Sequence, residues 1–294
     1  MSPSRAGAAL LAARPKTLTA AFVPVMAGTA LAAALGATVR WDLALAALAG
    51  AGAIQIGTNL YNDLLDHERG ADTHARLGPV RVTQAGLLAP WQVRLAAAGS
   101  FLVAVACGVP LVLAGGWPIL VLGILSLLFG YAYTGGPFPL AYHGLGELFV
   151  LLFFGFGAVG GTFWLHAGRL APEVAVAATQ VGFLACALLA VNNLRDVEED
   201  ARTRKHTLVV LLGTRFGRAE IAAFTCGPFA VGAAWLAEGR VLPALLPLLA
   251  LPLVVATLRI VLREPPGPRY NTALARAAAL QLGFGILMSL GLVL

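Results

Sequence analysis

The chain has 294 residues, 59% of them hydrophobic and 12% charged, with a mean hydropathy of +0.83. Soluble domains carry roughly twice that charged fraction, which excludes a water-soluble globular domain and indicates an integral membrane protein. The net charge of +6 would suit nucleic acid, but the basic residues are distributed as membrane-facing loops and not as a nucleic-acid patch.

A membrane-crossing helix needs about 20 predominantly apolar residues, and such runs lie at about 17–36, 42–65, 92–113, 117–134, 145–166, 172–195, 218–237, 241–263 and 272–293. The expectation is an all-α, polytopic protein with nine transmembrane helices, forming one integral-membrane domain over residues 1–294. The first run follows Arg14 and Lys16 and ends in small residues, as a signal peptide would; the eight runs behind it favour a retained helix.

The second run carries a polar stripe. Residues 55–72 read QIGTNLYNDLLDHERGAD. At 3.6 residues per turn, Gln55, Asn59, Asn62, Asp63 and Asp66 fall on one helical face. Gly70 is a helix stop, and Asp72 follows just past it. Amides and carboxylates entering a bilayer are costly against lipid, so this face is expected to look into a cavity or onto a partner. A long loop, about 66–91, comes next, and loops of that length in a compact domain are more often functional.

Between the fourth and fifth runs lies Tyr131-Ala-Tyr-Thr-Gly-Gly-Pro-Phe-Pro-Leu-Ala-Tyr142, where Gly-Gly-Pro marks a turn. Tyr133 there either points a hydroxyl into a site or anchors the membrane interface. Glu147 enters the fifth run as a polar partner or a helix cap, and Gly155, Gly157, Gly160 and Gly161 suit close helix packing. The sixth run ends in a second stripe: Asn192, Asn193, Asp196, Glu199 and Asp200, followed by Lys205 and a second long loop to about 217. The two stripes hold eight of the chain's 14 acidic residues. An amide-and-acid helix end followed by a long basic loop occurs twice, which points to internal duplication. Cys107, Cys186 and Cys226 all sit in apolar runs, with neither a disulfide framework nor a metal-thiolate spacing, as expected of buried thiols.

Nine crossings place every Lys and Arg on the N-terminal side except Arg40, Arg169 and Arg240. By the positive-inside rule the N-terminus is cytoplasmic and the C-terminus outside. Both stripes then end at the cytoplasmic face of the inner, or cytoplasmic, cell membrane.

Two groups of carboxylates near one another repel unless a cation lies between them. Oxygen ligands without His or Cys favour Mg²⁺, which is commonly held by one or two carboxylates plus substrate phosphates. The loops supply phosphate partners in Arg76, Arg81, Arg195, Arg202, Arg204 and Lys205, with Arg14 and Lys16 before the first run. Acid, metal, diphosphate and base form a consistent sandwich, and apolar walls above it suit a lipid with a diphosphate head. A transporter is the alternative class, since paired acids also mark ion pathways; it would place the acids near mid-membrane, whereas these gather at one face.

The motifs carry a resemblance. Asn59-Leu-Tyr-Asn62-Asp63-Leu-Leu-Asp66 with Gly70-Ala-Asp72 resembles the first aspartate-rich motif of the UbiA superfamily of intramembrane aromatic prenyltransferases, and Asp196-Val-Glu-Glu-Asp200 resembles its second. Ala13-Arg14-Pro15-Lys16-Thr17, the stretch Gly78–Gly86, Tyr133-Thr134-Gly135-Gly136-Pro137, and Asn192–Asp196 with Lys205-His206-Thr207-Leu208 are similar to its 1,4-dihydroxy-2-naphthoate polyprenyltransferase branch. Pro137 stands where other branches often carry a Lys, a departure that favours this branch. The resemblance implies a nine-helix UbiA-type bundle that transfers a prenyl group from a polyprenyl diphosphate to dihydroxynaphthoate with loss of CO₂. It implies Mg²⁺ held by Asp63, Asp66, Asp196 and Asp200, oriented by Asn59, Asn62 and Asn193. Diphosphate would meet Arg81, Arg195 and Lys205, with Arg14 and Lys16 nearby, and Asp72 and Tyr133 would assist at the acceptor or cation. Hydroxybenzoate- and homogentisate-type acceptors are the alternatives within the superfamily.

Overall fold

A computed structural model describes residue 7 and residues 11–70, 77–78 and 81–294, apart from the side chain of Lys16. Among the described residues the chain is helical, with no strand. In chain order the apolar helices are α1 (Thr19–Ala34), α2 (Trp41–Glu68), α3 (Pro90–Gly115), α4 (Trp117–Ala132), α5 (Gly146–Ala167), α6 (Pro172–Arg195), α7 (Thr214–Ala237), α8 (Val241–Arg263) and α9 (Tyr270–Val293). Seven are long and apolar enough to cross a bilayer. The other two, α1 and α4, have 16 residues each, short of the ~20 that a crossing needs. Length and composition alone thus support seven crossings where nine were expected.

Helix ends follow from Pro and Gly. Pro90 and Pro172 open α3 and α6, where a missing N–H costs nothing. Gly116, at φ 70°, both ends α3 and begins α4; that backbone angle is open to glycine and strained for other residues. Within α5, Leu151–Gly157 widens into a π-helix, a rare geometry frequently found beside functional sites. There α5 and α6 approach closely. A Cβ added at Gly155 would stand 2.6 Å from the Ala178 carbonyl oxygen and 3.1 Å from the Gly182 Cα.

The most enclosed long helix is α6. One side packs into a core of Val23, Leu31, Phe163, Val181, Trp235, Phe284 and Met288. Its C-terminal half joins Val191 and Leu194 to Ile221, Val261, Tyr270 and Ala277. A third cluster holds Leu60 and Leu64 of α2 against Val93 and Ala97 of α3, and takes in Val82 from the connection between them. Val82 is fully buried, so an apolar side chain pins that loop beneath the end of α2.

Candidate active site

The first stripe occupies the last turns of α2. Asp66 is buried and accepts from Arg81 and Tyr142. Arg81 Nη2 reaches its Oδ2 at 2.7 Å, and the Tyr142 hydroxyl donates to its Oδ1 at 2.9 Å. Asn62 Oδ1 accepts a hydrogen bond from the Thr134 hydroxyl. Asn59 accepts from Gln55 Nε2 at 3.3 Å and donates to Thr17 Oγ1 at 3.1 Å. Thr17 returns to the Arg14 carbonyl through both its amide and its hydroxyl, and Arg14 is left-handed at φ 50°. A non-glycine residue in that region is a strained conformation of the kind that gathers at functional sites.

The second stripe sits where α6 ends. The Arg195 Nε and Nη2 form a paired contact with Asp196 at 2.8 and 2.7 Å, and Nη1 donates to Asn271 Oδ1 at 2.9 Å. Lys205 Nζ lies 3.6 Å from Asp200. Asn193 Nδ2 donates to Glu147 Oε1 at 2.8 Å, which gives Glu147 its place as a polar partner across α5 and α6.

Tyr142 joins the halves. Its hydroxyl meets Asp66, its carbonyl accepts from the His206 amide at 3.2 Å, and its ring lies 5.2 Å from the Arg69 guanidinium and 5.9 Å from Lys205 Nζ. Arg69 also donates to the Thr134 and Gly136 carbonyls, fastening the loop between α4 and α5 onto α2. Burial, reinforced by the Asp66 carboxylate, raises the Tyr142 hydroxyl above the ordinary phenol range, so it is a donor to Asp66 at neutral pH.

Both stripes open onto one cavity of about 470 Å³. Its polar end is lined by Arg14, Asn59, Asn62, Asp66, Arg81, Tyr133, Asn193, Arg195, Asp196, Asp200 and Lys205. Its other walls are mostly apolar, including Ile54, Phe129, Phe149, Phe153, Phe154 and Leu188, with Gln55, Thr58 and Ser126 among them. The π stretch of α5 contributes Phe153 and Phe154 to that wall. Buried ion pairs are weak contributors to stability, because desolvation offsets much of their attraction. Three acid–base pairs at the end of one apolar cavity are therefore better explained by a ligand that engages both signs.

One expected site residue is placed elsewhere. Asp63, named above as a metal holder, does not line the cavity. Its Oδ2 accepts from the Val82 amide at 2.9 Å and its Oδ1 from the Thr83 amide at 3.1 Å. Asp63 lies one residue round the helix from Asn62, which turns it towards the loop instead of the chamber. Asp72 lies outside the described residues, as does the Lys16 side chain. Sequence reasoning missed Thr134, Tyr142 and Asn271. Thr134 adjoined a noted tyrosine, whereas Tyr142 and Asn271 carried no signal of their own. Among the described residues no group of three or more His, Cys, Asp or Glu side chains converges as a metal cluster. The acids Asp66, Asp196 and Asp200 instead share the cavity with neither His nor Cys lining it. Such hard oxygen donors, completed by phosphate oxygens, fit Mg²⁺.

Among the described residues, a helical bundle around one chamber, with amides, acids and arginines at one end, has the form of an intramembrane enzyme. The chain belongs to the UbiA prenyltransferase family, whose profile matches residues 21–280. It is 39% identical over 303 residues to the 1,4-dihydroxy-2-naphthoate octaprenyltransferase of Escherichia coli, covering 99% of this chain and 96% of that protein. It is 43% identical over 201 residues to the protein of the same name from Mycobacterium tuberculosis, covering 68% of each. A UbiA homolog from Archaeoglobus fulgidus bound to DMAPP and Mg²⁺ shares the fold at TM-score 0.62 and 16% identity, over 96% of this chain and 99% of that one.

Proposed function

We propose that this prenyltransferase moves a polyprenyl group from an allylic polyprenyl diphosphate to 1,4-dihydroxy-2-naphthoate with loss of CO₂, giving demethylmenaquinone and diphosphate. The observation that carries the reading is the convergence of Asp66, Arg81, Arg195, Asp196, Asp200 and Lys205 on one largely apolar cavity. The names of the Escherichia coli and Mycobacterium tuberculosis relatives support the acceptor. The Archaeoglobus ligands support an allylic diphosphate and Mg²⁺.

Asp66, Asp196 and Asp200, with the Asn62 carbonyl, are the groups that would hold Mg²⁺. When bound, the ion supplies Lewis-acid stabilisation of the departing diphosphate. The chain's own contribution is electrostatic. Arg81, Arg195 and Lys205, with Arg14 and Lys16, are assigned to the diphosphate oxygens, so positive charge stands where negative charge grows as the C–O bond breaks. The aromatic and aliphatic walls exclude water from the allylic cation, and Tyr133 and Asn193 border the space left for the acceptor. Asn59, Asn62 and Thr134 hold the rim's geometry.

Residues 1–294 act as one membrane domain. The chain crosses the inner, or cytoplasmic, cell membrane nine times, with α1 and α4 completed by their flanking turns. Basic loops at the site end put the N-terminus and the site on the cytoplasmic side and the C-terminus outside.

Expression in a host lacking its own naphthoate prenyltransferase, followed by lipid extraction, tests this directly. Restored prenylnaphthoquinone is the expected result. Purified, folded protein given Mg²⁺, a polyprenyl diphosphate and dihydroxynaphthoate, homogentisate or hydroxybenzoate in parallel would overturn the acceptor assignment by prenylating only one of the latter two.

A further inference from the structure

We infer that Asn271 is a positioning residue that ties the two cavity arginines, Arg81 and Arg195, into one assembly; this rests on the diphosphate role proposed for them. Asn271 does not border the cavity, so it acts through its neighbours. Its Oδ1 accepts from Arg195 Nη1 at 2.9 Å, and its Nδ2 donates to the Leu77 carbonyl at 2.8 Å. A guanidinium only donates and a carbonyl only accepts, so these partners fix the amide's orientation and require a side chain with both functions.

Each end of this bridge leads to a site arginine. On one side, Arg195 has Nε and Nη2 on Asp196 and Nη1 on Asn271, which holds its buried guanidinium in one plane. On the other, Leu77 precedes Arg81 by four residues in the chain. The two residues after Arg81 are held by Asp63, through the Val82 and Thr83 amides. Asn271 and Asp63 thus hold the chain before and after Arg81, which itself rests on Asp66. The bridge itself is set by the start of α9. Tyr270 is fully buried and its hydroxyl donates to the Val261 carbonyl at 3.1 Å, fixing the phase at which Asn271 emerges. Arginines ordered beforehand lose less freedom when an anion binds, which favours affinity.

The test uses the full-length protein in detergent with Mg²⁺ and geranyl diphosphate, without acceptor. It combines binding measurements with amide exchange over residues 77–83. Asn271→Ala should weaken binding about tenfold, equivalent to about 1.4 kcal/mol, and accelerate exchange in the loop. Asn271→Asp retains an acceptor for Arg195 and loses the donor to Leu77. It should show the same faster exchange with a smaller loss of binding, about threefold, and it serves should the alanine variant fail to fold. In an Arg195→Lys background, Asn271→Ala should cost only about threefold further instead of tenfold, because the link to Arg195 is already gone and only the link to Leu77 remains to be lost. If Arg195→Lys weakens binding while both Asn271 variants bind and exchange like the parent, the inference is wrong and the diphosphate assignment stands. Independent, multiplicative losses would also overturn it. If Arg195→Lys binds normally, the diphosphate assignment of Arg195 fails, and the inference fails with it.

Discussion

Replacing Asp63 by Asn separates two roles that a carboxylate in this motif can have. In the structure both oxygens receive backbone amides, Val82 at 2.9 Å and Thr83 at 3.1 Å, and the residue is 3% exposed. Asn retains one acceptor and turns an NH₂ towards the other amide. One buried N–H then loses its partner, at a cost of about 1–3 kcal/mol, and the remaining bond loses its charge assistance. With a total of about 3 kcal/mol, local opening of the loop and exchange of the Val82 and Thr83 amides should accelerate about 100-fold. Arg81 immediately precedes Val82, so its hold on the diphosphate should loosen and the KM for the prenyl diphosphate rise about tenfold. The Mg²⁺ concentration for half-maximal rate should change less than about twofold, since loss of a direct ligand typically costs far more. The assay is exchange mass spectrometry beside initial rates, titrating each ligand separately. Unchanged loop exchange together with a tenfold or greater rise in the Mg²⁺ requirement would show Asp63 to be a ligand and refute the reasoning.

Three other outcomes follow from the same geometry. Gly155→Val drives a side chain into the Ala178 carbonyl, 2.6 Å from the added Cβ; it should destabilise the α5–α6 contact by about 1–3 kcal/mol, read as a lower unfolding temperature in detergent. Tyr142 has a raised folded-state pKa, so its contribution is fully present below the ordinary phenol value of about 10 and is lost only as pH rises through the raised value. Tyr142→Phe should therefore lower activity by a constant factor from about pH 7 to about 10, and phenolate absorbance from Tyr142 at its ordinary pH would contradict this. Chelating divalent cations should abolish prenyl transfer and restoring Mg²⁺ should recover it; full activity in excess chelator would remove the metal assignment of Asp66, Asp196 and Asp200.

Much of the bundle was legible because apolar runs and Gly stops are local properties. Gly70, a helix stop by sequence, follows the end of α2 at Glu68 and has φ 68°. The polar stripes were legible for a different reason: Asn59, Asn62 and Asp66 stand out against an apolar helix. What spacing could not resolve was the direction of two adjacent polar side chains. Asn62 and Asp63 differ by one position, and that rotation sends one to the cavity and the other to a backbone turn. Tyr142 and Asn271 were hidden because their importance lies in partners far along the chain, Asp66 and Arg195. The two 16-residue helices show the limit of hydropathy as a ruler, because the apolar runs at 17–36 and 117–134 are longer than the helices built within them.

The widened stretch of α5 has a consequence for how this protein tolerates insertions and deletions. A π turn takes up one residue more than an α turn, and one residue is worth about 100° of rotation. Before the stretch, Glu147 faces Asn193; after it, Phe163 is buried in the core and Thr162 lies against Gly28 of α1. Removing a single residue between 151 and 157 would restore regular winding and keep these faces in register, whereas inserting one there requires a second wide turn or swings one face about 100°, exposing either a carboxylate or a core aromatic to acyl chains. A one-residue loss in the Gly168–Ala171 connection leaves both faces aligned.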